Sequence, residues 1–186
     1  MAVDFMPGGQ QLVATSIAGE IAVVDVASQS RQFYHDTMPG IIQADKDSRA
    51  LFEEQREQMQ SVAKKPAALL SNIIYCVKAL PNDDGVFLYG AQDANVTKCA
   101  VGNLWTETVD LFSGHSSGVR SVEVSKDGKK VITGCEDHSL RVWDYETGKA
   151  ELLFSGHHDV VSGGSFLNEN TLVSSSWDMT VKIWKI

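Results

Sequence analysis

The stretch SVEVSKDGKKVITGCEDHSLRVWDY, residues 121–145, contains three short runs that are rich in Val, Ile, Leu and Trp. The turn SKDGK separates the first run from KVITGC, and the turn EDH separates KVITGC from LRVWDY. Short β-rich runs divided by Gly, Asp and Ser predict antiparallel strands that are joined by tight turns. A further turn, ETGK, and the run AELLFSG predict a fourth strand, so this part of the chain is expected to form a four-stranded unit.

The same pattern recurs along the chain. Residues 2–26 align with residues 121–145 without a gap, and residues 163–186 align after one deletion in the turn. A fourth and less regular copy lies at residues 73–101. Four strands per unit, with a spacing of about 42 residues between the last two units, favour a β-propeller among the all-β folds.

The last two units also carry short sequence signatures. FSGH opens both units, RVWDY closes the third and VKIW closes the fourth. In its Gly-His openings and its Trp-Asp or Trp-Lys closings the chain resembles the WD-repeat family of β-propellers. The first two units are degenerate, because Val24 and Cys99 stand where the family has Trp. The resemblance covers roughly residues 2–36 and 70–186.

The predicted fold is therefore all-β: a partial β-propeller of about four blades with one helical insertion. The expected domains are a degenerate blade at 1–36, an insertion at 37–69, a degenerate blade at 70–113, a WD blade at 114–155, and a WD blade without its outer strand at 156–186. Early glutamates, late lysines and a following proline predict a helix over residues 48–65. Its apolar stripe packs on the propeller rim or docks a second protein, and consists of Leu51, Phe52, Met59 and Val62.

Both regular units contain a histidine, a hydroxyl, an aspartate and a tryptophan. The two sets are His115, Thr133, Asp137 and Trp143, and His157, Ser174, Asp178 and Trp184. A hydroxyl, an imidazole and a carboxylate could form a catalytic triad. The resemblance instead implies a structural hydrogen-bond chain from carboxylate to imidazole to hydroxyl to indole. Because the set occurs twice and nothing resembles an oxyanion hole, we interpret both sets as structural tetrads and predict no enzymatic activity.

The resemblance implies a non-catalytic protein–protein interaction scaffold that presents loops of every blade on one face. Residues before the turn aspartate, and residues at the start of the first strand, are expected to lie on that face. They are Arg120, Glu136, Ser162 and Trp177, with Tyr75 and Gln92 as weaker equivalents. The alternative for Trp177 is packing against the loop of a neighbouring blade. Two alternative functions stay open: a small-molecule-binding or catalytic propeller, and a component of a ribonucleoprotein assembly without direct nucleic-acid contact.

Composition narrows the classes of partner. The 186 residues carry a formal net charge of −8 and no basic cluster, so direct binding to nucleic acid or to an anionic membrane is not expected. No apolar run is long enough to cross a membrane. Three widely spaced cysteines fit reduced thiols in an intracellular protein, cytoplasmic or nuclear. No cysteine, histidine and carboxylate residues have the spacing of metal ligands, and no loop resembles a phosphate-binding loop. We therefore expect no bound metal and no cofactor.

The run VKIWKI, residues 181–186, predicts a strand with an open edge. In closed propellers of the family, the outermost strand of the last blade commonly comes from the N-terminus, and no residues precede the first unit to supply it. We therefore expect the C-terminal part of a larger propeller that another chain or segment completes. A homo-oligomer and a small or open propeller are the two further possibilities.

Overall fold

The chain forms an all-β structure in which the predicted strands are present. A computed structural model describes residues 2–16, 19–35, 42–43, 73–83, 85–101 and 109–186. Within these ranges the secondary structure consists of strands, which form four antiparallel sheets. Each sheet is one blade of a partial β-propeller, as the sequence predicts. The helix predicted over residues 48–65 lies outside the described residues.

The third blade has the regular four-stranded form. Its strands, in sheet order, are β10 (Val119–Val124), β11 (Lys130–Cys135), β12 (Ser139–Asp144) and β13 (Ala150–Ser155). Gly128, with φ of 74°, provides the left-handed residue of the turn between the first two strands. His138, with φ of 66°, does so in the next turn. Val131 of β11 packs in the apolar cluster shared with the second blade, and the adjacent Ile132 packs in the cluster shared with the fourth.

The first two blades repeat this arrangement with degenerate sequences. The first contains β1 (Ala2–Phe5), β2 (Gln11–Thr15), β3 (Glu20–Asp25), β4 (Arg31–His35) and β5 (Ile42–Gln43). The second contains β6 (Ile74–Ala79), β7 (Val86–Ala91), β8 (Val96–Ala100) and β9 (Val109–Phe112). The sequence did not predict β5, which lies within the segment assigned to the insertion and pairs with β4.

The fourth blade has three strands among the described residues. They are β14 (Val161–Asn168), β15 (Thr171–Ser176) and β16 (Val181–Lys185). Trp184 pairs with Leu172, just as Trp143 pairs with Val131 in the third blade. The register therefore places both tryptophans at the same position of their blades.

Neighbouring blades pack face to face through three apolar clusters. Residues of the first two blades form one cluster, in which Val13 and Phe87 are fully buried. A second cluster joins the second and third blades around Phe112 and Trp143, whose ring centroids lie 5.5 Å apart. The third joins the last two blades around Leu172. The core is thus distributed between blades, as expected for a repeat protein.

The fourth blade exposes one apolar face. Val181 and Ile183 on β16 are 69% and 68% exposed. Leu140 and Val142 occupy the same register positions on β12 and are fully buried. Leu140 and Val142 pack against the fourth blade, whereas Val181 and Ile183 at the same positions of the fourth blade are not covered by any described residue.

The first blade exposes a face of the opposite kind. Val3 and Phe5 on β1 are exposed, whereas Val122 and Val124 at the same positions of β10 are buried against the second blade. The two end faces of the described arc thus repeat the two halves of one blade–blade interface.

Candidate protein-interaction face

The residues predicted to bind proteins lie at one end of the propeller, which we call the upper face. It comprises residues 16 and 19–20, the turns 92–95, 136–138 and 177–180, and the connecting segments 113–118 and 156–160. Backbone hydrogen bonds hold these pieces together: Glu136 N donates to Gly118 O at 3.0 Å, and Trp177 N donates to Val160 O at 3.0 Å. The upper face is therefore an ordered surface rather than a set of independent loops.

The tetrad of the third blade forms a continuous hydrogen-bond chain. His115 Nδ1 lies 2.9 Å from Asp137 Oδ2, and His115 Nε2 lies 2.6 Å from Thr133 Oγ1. Trp143 Nε1 donates to the same Thr133 hydroxyl at 2.8 Å. The hydrogen-bonding pattern assigns a proton to His115 Nδ1, while the Thr133 hydroxyl donates to Nε2. Each polar group in the chain then has a partner.

The tetrad of the fourth blade repeats this geometry. His157 Nδ1 lies 2.8 Å from Asp178 Oδ2, His157 Nε2 lies 2.7 Å from Ser174 Oγ, and Trp184 Nε1 donates to Ser174 Oγ at 2.8 Å. The histidine and the hydroxyl are buried in both blades. The structure thus brings together all eight residues in the two sets that the sequence predicted.

Both tetrad carboxylates are held in their charged form. Burial alone would raise the pKa of Asp137, but hydrogen bonds from His115 and Ser139 hold that pKa far below its ordinary value. The pKa of Asp178 is also lowered: burial would raise it, but hydrogen bonds from the side chains of Thr180 and His157 outweigh that effect. A charged aspartate fixes the orientation of its histidine. The hydroxyl accepts the indole N–H and is therefore not free to act as a nucleophile.

Cys135 lies close enough to one tetrad to suggest a metal site. Ligand atoms of His115, Cys135 and Asp137 lie within 4.8 Å of one another. However, the Cys135 thiol donates to Ser117 O at 3.1 Å and accepts the Asp137 backbone N–H at 3.3 Å. Burial raises the pKa of Cys135 to about 12, which keeps the thiol protonated.

The fourth blade shows what that thiol does. Ser176 takes the equivalent place, where its hydroxyl donates to Asp159 O at 3.0 Å and accepts the Asp178 N–H at 3.1 Å. A serine hydroxyl and a cysteine thiol thus make the same two turn contacts. The Cys135 side chain fits a hydrogen bond of the turn and does not fit a thiolate ligand for a metal.

Arg120 connects three blades on the upper face. Its guanidinium carbon lies 3.7 Å from the ring centroid of Tyr75 in the second blade and 5.4 Å from that of Trp177 in the fourth. Arg120 Nε donates to Glu136 Oε1 at 2.7 Å, and a second guanidinium nitrogen contacts the same oxygen. Ser117 Oγ donates to the other Glu136 oxygen at 2.8 Å. We call Tyr75, Arg120, Glu136 and Trp177 the arginine ladder.

Two predicted binding residues lie outside the arginine ladder. Ser162 Oγ lies 3.3 Å from Ser175 Oγ, so its side chain is directed to its own blade. Gln92 is exposed in a turn of the second blade, where its backbone N–H donates to Ile73 O. The structure therefore brings four of the six predicted binding residues together.

Met179 is an exposed residue of this face that the sequence interpretation did not single out. It is 96% exposed and has φ of 64° in the turn that follows Asp178. Ala94 and His138 have positive φ at the same turn position of the second and third blades. The position could have been found from the repeat alignment, since each residue follows the turn aspartate.

A second missed group runs along the inner strands. Lys78 Nζ lies 3.5 Å from Asp4 Oδ2 and 3.3 Å from Glu123 Oε2. Asp4 Oδ2 also accepts the backbone N–H of Ala79 at 2.9 Å. The three charged residues occupy equivalent positions of three successive blades, so Lys78 connects the first blade to the third.

The architecture of this chain is that of a WD-repeat β-propeller. Residues 106–144 and 148–185 match the family described as WD domain, G-beta repeat. These two matched units are WD repeats of that family. Within the described residues, no helix has the length and apolar character needed to cross a membrane.

Several curated proteins are similar to the chain. A "Ribosome biogenesis protein WDR12 homolog" of Drosophila persimilis is 32% identical over 126 residues, covering 58% of this chain and 30% of that protein. A protein of the same name in Aedes aegypti is 29% identical over 137 residues, covering 58% of this chain and 31% of that protein. The chain thus spans about 30% of the length of the curated relatives it matches.

Proposed function

We propose that the chain is a non-catalytic protein-interaction scaffold within an assembly that builds ribonucleoprotein particles. Its WD repeats and the relatives named for ribosome biogenesis support this function. Partners bind on the upper face, where Arg120, Glu136 and Trp177 provide the main contact surface, with Tyr75, Gln92 and Ser162 around them. Of the two expected locations, cytoplasmic and nuclear, the relatives named for ribosome biogenesis support the nuclear one.

The arginine ladder is the observation that carries this proposal. It links side chains from three blades through stacking and hydrogen bonds, which fixes their relative positions before any partner arrives. Trp177 nevertheless remains 57% exposed at the end of the ladder. A rigid, exposed aromatic side chain loses little conformational entropy on binding, and tryptophan is among the residues that dominate interface energies.

Catalysis and small-molecule binding have weaker support. Both tetrad hydroxyls accept an indole N–H, which leaves no free nucleophile in either set. A cleft of about 230 Å³ lies near the first two blades, and the described residues that line it include no titratable side chain: they are Met6, Gly8, Gln10, Gln11 and Gly85. The scaffold function accounts for the upper face without a reaction.

Direct contact with nucleic acid is not part of the proposed function. The sequence has a pI near 5.0 and a formal net charge of −8. Phosphate recognition requires lysine or arginine side chains that are free to replace counterions. The guanidinium of Arg120 is instead bound by Glu136. Membership of a ribonucleoprotein assembly is therefore proposed to rest on protein contacts.

A second partner surface is proposed on the exposed face of the fourth blade. Val181 and Ile183 repeat the positions of Leu140 and Val142, which pack against a following blade. The occupant with matching shape is a further WD-type blade supplied by polypeptide outside residues 1–186. Burial of this face would remove an apolar patch of a kind that folded proteins rarely leave exposed.

Affinity capture tests the scaffold function. The intact chain, tagged and expressed in cells, should enrich proteins of ribosome assembly when its captured partners are identified by mass spectrometry. Trp177→Ala should reduce this enrichment at least about tenfold, because it removes a central aromatic contact. Leu167→Ala is the matched control, since Leu167 is 65% exposed on the same blade but lies at the opposite end of β14.

Two outcomes would contradict the proposal. Enrichment that is unchanged in Trp177→Ala would remove the upper face as the binding surface. Hydrolytic activity that is lost in Ser174→Ala, with folding intact by circular dichroism, would assign the fourth-blade tetrad to catalysis.

A further inference from the structure

We propose that the upper face binds a lysine- and arginine-rich segment of a partner protein, with one cationic side chain stacked on Trp177. This inference rests on the proposed scaffold function and specifies the chemistry of its partner. The contact surface is the Trp177 patch, which we define as Asp159, Trp177 and Met179.

Trp177 and Met179 form the apolar and exposed part of the Trp177 patch, and their turn is held in place by hydrogen bonds. Trp177 and Met179 are 57% and 96% exposed in one tight turn between β15 and β16. Trp177 N donates to Val160 O, Met179 N donates to Ser176 O, and Asp178 between them is bonded to His157. Two large side chains are thus presented by a backbone whose polar groups are already paired, which lowers the entropic cost of binding.

Arg120 does not compete for anions at this patch. Both of its hydrogen-bonding contacts go to Glu136 Oε1, and Tyr75 lies against the guanidinium at 3.7 Å. Glu136 neutralises the charge of Arg120, so the ladder offers no free cation to a phosphate or a carboxylate. Trp177 lies at the outer end of this ladder, and an indole ring is the best aromatic surface for a cation.

Charge on the upper face selects a basic ligand. Its turns and connecting segments contain six carboxylates and no lysine or arginine. They are Glu20, Asp93, Glu136, Asp137, Asp159 and Asp178. Two arginines on neighbouring strands lie against these carboxylates: Arg120 contacts Glu136, and Arg141 Nη2 lies 4.0 Å from Asp137 Oδ2. The potential of such a surface attracts a cationic segment and repels a nucleic-acid backbone.

The backbone of Asp159 and Val160 is hydrogen-bonded to the turn that carries Trp177. Ser176, the residue before Trp177, donates its hydroxyl to Asp159 O at 3.0 Å, and Val160, the residue after Asp159, accepts the Trp177 N–H. Asp159 is half-buried, and its side chain accepts the Val160 N–H at 2.7 Å. An exposed indole ring on a surface that also carries carboxylates suits a guanidinium or an ammonium with an aliphatic stem, while Met179 is proposed to contact neighbouring apolar residues of the segment.

Three fluorescent probes test the inference on the intact chain, with its completing partner present if the chain requires one for solubility. The first is a 12-residue peptide in which arginine and lysine alternate with leucine, and the second has glutamate in place of each cation. The third is a single-stranded RNA of twelve nucleotides. Fluorescence anisotropy should detect binding of the basic peptide, weakened by added salt, and no binding of the other two probes.

Variants separate the Trp177 patch from general attraction by an acidic protein. Trp177→Ala should weaken binding of the basic peptide at least about tenfold. Asp159→Asn should weaken it about two- to fivefold, as expected for an ion pair at the protein surface. Glu169→Gln removes one negative charge from an exposed turn at the opposite end of the same blade and should leave the affinity unchanged.

The outcomes distinguish this inference from the proposed function. Equal losses in Asp159→Asn and Glu169→Gln, unchanged affinity in Trp177→Ala, or tighter binding of RNA than of the basic peptide would each overturn the inference. If cellular capture depends on Trp177 while the basic peptide does not bind, the scaffold function stands and the basic-ligand inference is wrong.

Discussion

Replacing Thr133 with valine isolates the energetic contribution of one tetrad. The hydroxyl of Thr133 is fully buried and bonds two groups at once, the Trp143 indole N–H at 2.8 Å and His115 Nε2 at 2.6 Å. Valine keeps the branched shape of threonine but has no hydrogen-bonding group. Thr133→Val therefore leaves both partners unpaired without opening a cavity.

The expected loss follows from the number of unpaired groups. An unsatisfied buried polar group costs about 1–3 kcal/mol, so two groups cost about 2–6 kcal/mol of unfolding free energy. For a domain of this size each kcal/mol lowers the melting temperature by about 2–4 °C. Thr133→Val should therefore lower it by at least about 4 °C.

Urea denaturation followed by circular dichroism measures the loss. Thr171→Val is the matched control, because Thr171 is a half-buried strand residue that makes backbone pairs with Asn168 and Lys185. It should change the unfolding free energy by less than about 0.5 kcal/mol. If Thr133→Val is as stable as the control, the tetrad does not hold the blade together and the structural interpretation is refuted.

Three further predictions concern packing, acid and thiol chemistry. Gly134→Ala should destabilise the chain by about 1–3 kcal/mol, because the new Cβ would lie 2.8 Å from the backbone oxygen of Val161 in the next blade. In the same urea assay, Gly163→Ala should lower the unfolding free energy less, because its new Cβ would lie 2.7 Å from a serine hydroxyl. The unfolding free energy should fall as the pH drops below 3.8, the ordinary pKa of aspartate. The folded-state pKa of Asp137 is lowered, so the stability that this carboxylate contributes is lost as it is protonated. In acid titrations, Asp137→Asn should make the unfolding free energy depend less on pH. The pKa of Cys135 is raised to about 12, so its thiol should resist alkylation by iodoacetamide at pH 8 until urea unfolds the chain. Mass spectrometry measures the labelling, and rapid labelling of the native protein would contradict the burial of Cys135.

The blade architecture was predictable because its determinants are local. The segments that form β10, β11 and β12 are short and rich in Val, Ile, Leu and Trp, and Gly128 marks the turn between the first two. Each signal lies within a few residues of the strand it defines. By contrast, β5 has two residues and is defined by its pairing with β4, and no periodicity marks a strand so short.

The arginine ladder was predictable only in part. The repeat alignment places Arg120 and Trp177 on the upper face, since each has a fixed position in its own unit. It does not reveal that Arg120 stacks against Tyr75 or that Lys78 pairs with Glu123, because those contacts depend on how neighbouring blades are placed. The roles of these residues in binding remain predictions.

The first blade indicates why one chain can combine intact and degenerate repeats. By strand register, Ala14 stands where the third blade has Thr133, and Val24 stands where it has Trp143. Acceptor and donor are thus both absent, so neither leaves the other unpaired. Removing both partners of a buried hydrogen bond can be nearly neutral, whereas removing one is costly. Combining Thr133→Val with Trp143→Phe should therefore cost less than the sum of the single losses, and a strictly additive result would show that the hydroxyl and the indole contribute independently.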